Sequence, residues 1–407
     1  MKRKRFSMIW LLPPVILAAL FIWAAAGQTK SRSVQESFLA VSGETKEESR
    51  AETGTIRIET VQTMGTEAYA VSGESAVPEE AAGMSAAENT DPAEQMVTLL
   101  FAGDIYLSNH VLNAYDRAGG ISGVLDEGLR AEIAGADLFI ANQEFPFSDR
   151  GTPAPDKQFT FRLPTSRIRV LQEIGPDVVT LANNHTLDYG QEALLDTCMV
   201  LDEAGIVRIG AGSNLEEAKK AEILEVKGKK IGFLAASRVY PGASWAAAPG
   251  RPGMMSTYDP AMLLAEIRAL RPLCDYLVVY VHWGIERNTT PEAYQKTMGR
   301  QYIDAGADLV VGSHPHVLQG IEYYKGKPIL YSLGNFVFGS SIPETMLAKL
   351  TIGEAGIGLK LIPAVSSGGY TKQMDAGKQA DFFSRMEGLS FGIRMEGDTV
   401  LEQDMQE

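Results

Sequence analysis

Five short apolar runs in this 407-residue chain each end in a carboxylate, an amide or an imidazole. Val97–Ala102 leads into Gly103-Asp104, and Asp137–Ala141 into Asn142-Gln143-Glu144. Val178–Ala182 leads into Asn183-Asn184-His185, and Tyr276–Val281 into His282-Trp283-Gly284. Ala307–Val311 leads into Gly312-Ser313-His314-Pro315-His316, where Gly312 is expected to let the chain turn sharply. Four of the five histidines belong to this set, and only His110 falls outside it. Taken singly, each polar residue has a structural explanation: Asp104 as a helix cap, Glu144 as a surface acid, Asn184 in an Asx turn, His282 as a satisfied core imidazole. Structural roles, however, do not require polar residues at the same end of five strands. Ligand binding does, because open α/β sheets hold their ligands beyond the carboxyl ends of the strands. In an extended segment residues i and i+2 face the same way, so His314 and His316 are expected to converge on one point. Carboxylate, amide and imidazole together suit Mn, Fe or Zn better than Ca or Mg. One or two such ions can polarise a phosphoryl oxygen and activate a water.

The elements needed to hold such a centre are legible. From Met96 onward helical signals alternate with short β-rich runs, the pattern of an α/β domain. Leu194–Ala204 repeats apolar residues at helical spacing and stops at Gly205. Asp259 before Pro260 starts a helix reaching about Leu270, since Asp accepts free first-turn amides and Pro suits the first helical position. Ile223–Ala236 reads as two strands joined around Lys227-Gly228, and Tyr323–Pro328 as a hairpin turn into Ile329–Tyr331. Beyond Leu350 the pattern weakens, with glycine-rich breaks at 352–358 and 367–369; Leu359–Ile362 and Leu389–Ile393 are the expected closing strands. Cys198 reads as a helix-face core residue and Cys274 as lying just before a buried strand, a pair not expected to form a disulfide. Arg162 reads as a solvated arginine.

Six segments arrive in a fixed order: Gly103-Asp104; Ala141–Glu144; Asn183–Gly190; His282–Glu286; Gly312–His316; and Tyr331–Phe336. Together they resemble the CapA family of poly-γ-glutamate capsule synthesis proteins, from about Val97 to at least Phe338 and on to the mid-390s. That family is similar in fold to calcineurin-like metallophosphoesterases, which implies a two-sheet α/β/β/α sandwich. The resemblance implies that Asp104 and Glu144 are metal ligands, with Glu144 bridging, and that Asn184, His282, His314 and His316 complete the sphere. It makes His185 the general acid for the leaving group, a task suited to a neutral-range imidazole. Trp283, Glu286 and Asn335 are further candidates for the substrate site. One position departs from the pattern: calcineurin-like enzymes carry Asp-x-His at the first strand, and here Tyr106 follows Asp104-Ile105. One metal position thereby lacks an imidazole, which leaves the count of one or two ions open.

Ahead of this domain the chain has two further parts. Lys2–Arg5 precede nineteen uncharged residues, Met8–Ala26, about long enough to cross a hydrocarbon layer of roughly 30 Å. The positive flank stays cytoplasmic, and two readings compete: a signal anchor over residues 1–26, single-pass in the cell membrane, or a secretory signal cut after Ala24-Ala25-Ala26. The apolar run is longer than a usual signal core, so the anchor is expected; either way everything downstream is extracytoplasmic. Residues 27–95 hold thirteen acidic against five basic residues and only two aromatics, Phe38 and Tyr69. They are expected to form a disordered acidic linker. The α/β domain is then expected over 96–395 and a tail over 396–407. A net charge of −14 argues against nucleic acid as a partner. Two functions of different class follow: a metal-dependent hydrolase acting on an anionic polymer or phosphoester, or a non-enzymatic subunit of a poly-γ-glutamate synthase complex with a structural metal. An extracellular nucleotidase is a variant of the first.

Overall fold

Val97, Leu99, Leu100, Phe101 and Ala102 are all buried, so their strand has no face left for water. In the computed structural model, which describes residues 96–353 and 356–403, this strand, Val97–Ile105, lies inside a ten-stranded sheet. The expected membrane segment, the acidic linker and residues 404–407 lie outside the described residues. On one side of the first strand, Leu138–Gln143, Val178–Thr180 and Val207–Ile209 follow in parallel. On the other side Ser341–Gly353 and Gly356–Ser367 run antiparallel, followed by Thr399–Glu402 and Ile393–Glu396.

A second sheet has six strands, in the order Ile321–Tyr324, Lys327–Leu330, Leu309–Ser313, Tyr276–His282, Lys229–Ser237, Glu222–Val226. Its four middle strands are parallel, and each edge strand is joined to its neighbour as a hairpin. Along Tyr276–His282 the side chains alternate. Val278 and Tyr280 join the core shared with Phe101 and Phe139 of the first sheet, and the Tyr280 hydroxyl donates to the Ala102 carbonyl at 2.8 Å. Leu277, Val279 and Val281 face the other way, into a core built with Leu263 and Ile267 of the helix Ala261–Leu270 and Met298 and Tyr302 of the helix Ala293–Ala305. Each fully buried side chain of this size contributes about 1.5–3 kcal/mol, so both faces of the strand are strongly fixed.

Local signals set the element ends. The helix Gly190–Ala204 stops at Gly205, whose φ of 74° is the left-handed conformation glycine adopts without strain. The Asp259 carboxylate accepts from Ala261 N at 3.0 Å ahead of the helix Ala261–Leu270. At the first glycine-rich break Gly353 and Gly356 pair across two antiparallel strands, and at the second Gly368-Gly369, with φ of 65° and 82°, form a hairpin turn. Two readings of the C-terminal part change. Leu389 closes a helix, Ala376–Leu389, because Phe382 and Met386, one turn apart, both bury; the strand begins only at Ile393. Thr399–Glu402 pairs with Ile393–Glu396 and with Leu359 and Lys360, so the sheet continues past residue 395. Both cysteines are free: Cys198 is buried in the first core and Cys274 packs against the second. Among the described residues no helix is long and apolar enough to cross a membrane.

Gly312 has a different role from the one expected. It lies inside the strand Leu309–Ser313, and what it permits is close approach. A Cβ there would meet the Tyr331 carbonyl oxygen at 2.1 Å and Trp283 Nε1 at 2.4 Å, two atoms that hydrogen-bond each other at 2.9 Å. Gly312→Ala is therefore expected to lose about 1–3 kcal/mol of stability, the usual range for overpacking. A urea titration checks this, and an unchanged midpoint would contradict the packing.

Candidate metal centre

The parallel strands of both sheets end at one place, and the side chains there are buried. Asp104, Asn142, Glu144, Asn183 and Asp188 have no exposed surface, and His185, His282 and His314 are at most 5% exposed. Asp104 is fixed from two sides: Oδ1 accepts from Asn142 Nδ2 at 2.8 Å and Oδ2 from the His314 backbone amide at 3.3 Å. Asn142 in turn accepts from Asn183 Nδ2 at 3.0 Å, and Asn183 Oδ1 accepts the His185 amide at 3.0 Å. A chain of amides thus links the first, second and third strands of the parallel set.

Glu144 is the unusual member. Among the described residues neither of its carboxylate oxygens has a hydrogen-bond partner. Three imidazole nitrogens surround Oε1 beyond hydrogen-bonding length: Nε2 of His282 at 3.7 Å, of His185 at 3.8 Å and of His316 at 3.8 Å. Burial and the neighbouring Asp104 push the Glu144 carboxyl well above the usual carboxylate range. A buried carboxylate left without a donor costs several kcal/mol unless a cation or proton accompanies it. Donors ringing it at such separations fit a divalent cation among them. Ligand atoms of Glu144, His314 and His316 lie within 4.8 Å of one another and could hold a metal ion.

Two of the imidazoles are held in the neutral form that a metal ligand requires. Burial pulls His314 down to about 3 and His282 well below its ordinary value, so both are neutral. His314 Nδ1 is buried and has no hydrogen-bond partner among the described residues. His282 is held by Ser313 Oγ at Nδ1 (2.9 Å) and meets Asn184 Oδ1 at Nε2 (2.8 Å). His316 differs: burial pulls it down, but Glu144 and Asp104 outweigh that and raise it to about 10. Its Nδ1 meets Asn335 Oδ1 at 2.8 Å, so Asn335 orients this ring.

His314 and His316 do approach each other, with ring centroids 5.8 Å apart, but not through an extended backbone. Their φ values are 98° and 58°, a left-handed conformation that residues other than glycine seldom adopt. Such positions cost about 1–3 kcal/mol and persist where the surroundings over-determine them. Here the Asp104 contact to the His314 amide and the Arg287 amide on the Pro315 carbonyl (2.7 Å) do so.

The third strand delivers a dyad. His185 Nδ1 lies 2.6 Å from Asp188 Oδ2, which assigns the ring proton to Nδ1 and leaves the Nε2 lone pair facing Glu144. Burial lowers the His185 pKa, offset in part by Asp188. Phe161 lies flat on the ring at 4.1 Å, and Tyr106 stacks on Phe161 at 3.9 Å. Tyr106 therefore forms part of an aromatic wall, with Phe338 at its edge.

The pattern described as "Bacterial capsule synthesis protein PGA_cap" matches residues 98–340. The chain belongs to the PGA_cap family. It is 32% identical over 255 residues to the PGA biosynthesis protein CapA of Bacillus subtilis (strain 168), covering 62% of this chain and 66% of that one. It is 32% identical over 258 residues to the capsule biosynthesis protein CapA of Bacillus anthracis, covering 62% of each. The matches thus span just under two thirds of these relatives' length. Among solved structures it is similar to the NAD nucleotidase of Haemophilus influenzae, at 12% identity and a TM-score of 0.40 over 73% of this chain and 63% of that one. It is also similar to a hypothetical protein from Thermus thermophilus, at 20% identity and a TM-score of 0.38 over 66% of this chain and 98% of that one.

Within this PGA_cap chain the structure gathers Asp104, Glu144, Asn184, His185, His282, His314 and His316 at one point. Trp283 is not among them. It is fully buried on the helical side of the second sheet, between Tyr302 and Tyr331, and its indole donates to the Tyr331 carbonyl. As the residue after His282 it faces the opposite side of the strand. Glu286 is exposed, and its charge is felt by Lys157. Arg162 donates to the carbonyls of Arg150 and Gly151 and lies over the Tyr189 ring. Sequence reasoning assigned no role to Asn142, Asn183, Asp188 or Lys157. The first three stand in the quoted motifs, and the i, i+3 spacing of His185 and Asp188 was the available signal. Lys157, in an irregular stretch, carried none.

Proposed function

We propose that this PGA_cap chain is an exported, membrane-anchored protein whose extracytoplasmic domain is a metallophosphoesterase-like α/β/β/α sandwich with a metal-dependent hydrolase site. It acts in the synthesis, export or anchoring of poly-γ-glutamate or a related anionic surface polymer, alongside a membrane synthase and not on nucleic acid. The observation that carries the hydrolase reading is the fully buried Glu144 carboxylate, without a donor and ringed by three imidazole nitrogens at 3.7–3.8 Å. Asp104, Glu144, Asn184, His282, His314 and His316 would hold Mn, Fe or Zn, and such an ion would supply Lewis-acid polarisation of the ester or related bond. His185 Nε2 is the proton-transfer atom. Asp188 fixes its ring, and the wall of Phe161, Tyr106 and Phe338 keeps water from its face. Asn335 serves the centre by orienting His316.

The full chain in detergent tests this: bound Mn, Fe and Zn are measured, and phosphate mono- and diesters are assayed beside His185→Ala and His316→Ala. Expected are metal loss in His316→Ala, metal retention in His185→Ala, and loss of turnover in both, about 10²–10⁴-fold for His185→Ala. Full metal with no turnover on any ester would favour the second reading, a synthase subunit with a structural metal. The feature behind that reading is Tyr106, which stands in the aromatic wall where an imidazole ligand would be expected. Absence of metal under every reconstitution condition would sink the site itself.

A further inference from the structure

One lysine enters the centre from a stretch without regular secondary structure. Lys157 has a side chain only 13% exposed. Its Nζ donates to the Asn184 carbonyl at 2.5 Å and to Asp188 Oδ1, and it stands 3.0 Å from His185 Nδ1. Since Nδ1 carries a proton shared with Asp188, that last approach is a charge beside a donor and not a hydrogen bond. The same stretch lays Phe161 on the His185 ring and ties itself to Asp188 twice, through Phe161 N to Oδ2 at 2.6 Å and Ala154 N to the carbonyl at 2.7 Å. From beyond the strand Lys229–Ser237, Trp245 covers the ammonium at 5.0 Å.

Burying an ammonium is costly, and the backbone bonds to Asp188 already pin the stretch. A cation at this point does something those bonds cannot. It fixes both Asp188 oxygens, one on itself and one on the ring. We propose that Lys157 is a positioning residue of the centre, bracing Asp188 and the Asn184 carbonyl so that His185 keeps one tautomer and aims Nε2 at Glu144. The proposal rests on the reading that His185 moves the proton. It makes Lys157, Asp188 and His185 one unit with the covering stretch.

The full chain, in detergent and loaded with Zn²⁺, is compared with Lys157→Met and Lys157→Arg. Bound zinc, the ¹⁵N shifts of the His185 ring and turnover of bis(p-nitrophenyl) phosphate are measured. Expected in Lys157→Met are unchanged zinc, a ring exchanging between tautomers, and kcat lower by about 10–100-fold with KM nearly constant. Lys157→Arg restores the single tautomer and part of kcat. A Lys157→Met ring that keeps only the Nδ1 proton overturns the proposal. So does a joint fall of zinc and kcat that Lys157→Arg does not rescue, which would mark the lysine as a fold contact. If the parent hydrolyses no ester, the hydrolase reading falls, while the ring tautomers still decide the role of Lys157. Should Lys157→Met not fold, Lys157→Gln, which keeps a donor for the Asn184 carbonyl but no charge, is read in the same way.

Discussion

Glu144→Met is expected to abolish stoichiometric metal binding while leaving the metal-free chain at least as stable as its parent. The two effects have one cause. Glu144 is fully buried, its oxygens meet no donor, and burial with Asp104 nearby disfavours its ionised form. Without a cation such a group destabilises the fold, and an unmet buried acceptor costs about 1–3 kcal/mol. An apolar side chain of similar length removes that penalty. It also removes the central ligand, so metal affinity should fall by more than the roughly 10–100-fold typical of outer-shell changes. Metal analysis after dialysis, with thermal melts in chelator, reads both. A Glu144→Met chain that holds metal at the parental level would rule out the centre, and one that melts well below the chelated parent would mean Glu144 has a structural partner. Ligand binding to the native state alone adds stability by mass action, so the parent should melt higher with metal than without, and the variant should not respond.

Asp188→Asn should have the largest effect on stability and on proton transfer together. Its carboxylate is buried and receives His185 Nδ1, Phe161 N and Lys157 Nζ. The change leaves the Lys157 ammonium in the interior without its counter-charge, facing only neutral acceptors such as the Asn184 carbonyl. Removing one member of a buried ion pair costs about 3–5 kcal/mol, and losing the ring's orientation should lower turnover by about 10²–10⁴-fold. Bound metal should persist, because Asp188 does not touch Asp104, Glu144, His282, His314 or His316. Urea denaturation, ester turnover and metal content separate these outcomes. A loss of under about 1 kcal/mol would mean that the pair behaves like an exposed one.

Much of this was legible in the chain because strand ends are a one-dimensional signal. A β-strand with both faces buried has to be apolar throughout, so the polar residue that follows Val97–Ala102 or Tyr276–Val281 stands out at once. The hairpin turns at Lys227-Gly228 and Lys325-Gly326 were readable for a similar reason, since positive φ favours few residue types. Leu389–Ile393 was misread because a short apolar run looks alike in a helix end and a strand, and only the burial of Phe382 and Met386 separates them.

Residue types and their order along the chain were enough to pick out candidates for a centre at strand ends and to read the domain as α/β. Each of those depends on residue type and on neighbours along the chain. Which side each strand-end residue faces depends on how the sheets pack: His282 enters the centre while Trp283, one residue on, goes into the opposite core. The fold also decides how two histidines meet through left-handed backbone, and that Gly312 serves packing and not a turn. Lys157 lies 27 residues from Asn184 and 31 from Asp188. No local pattern marks such a residue, because its value arises from what the fold places around it.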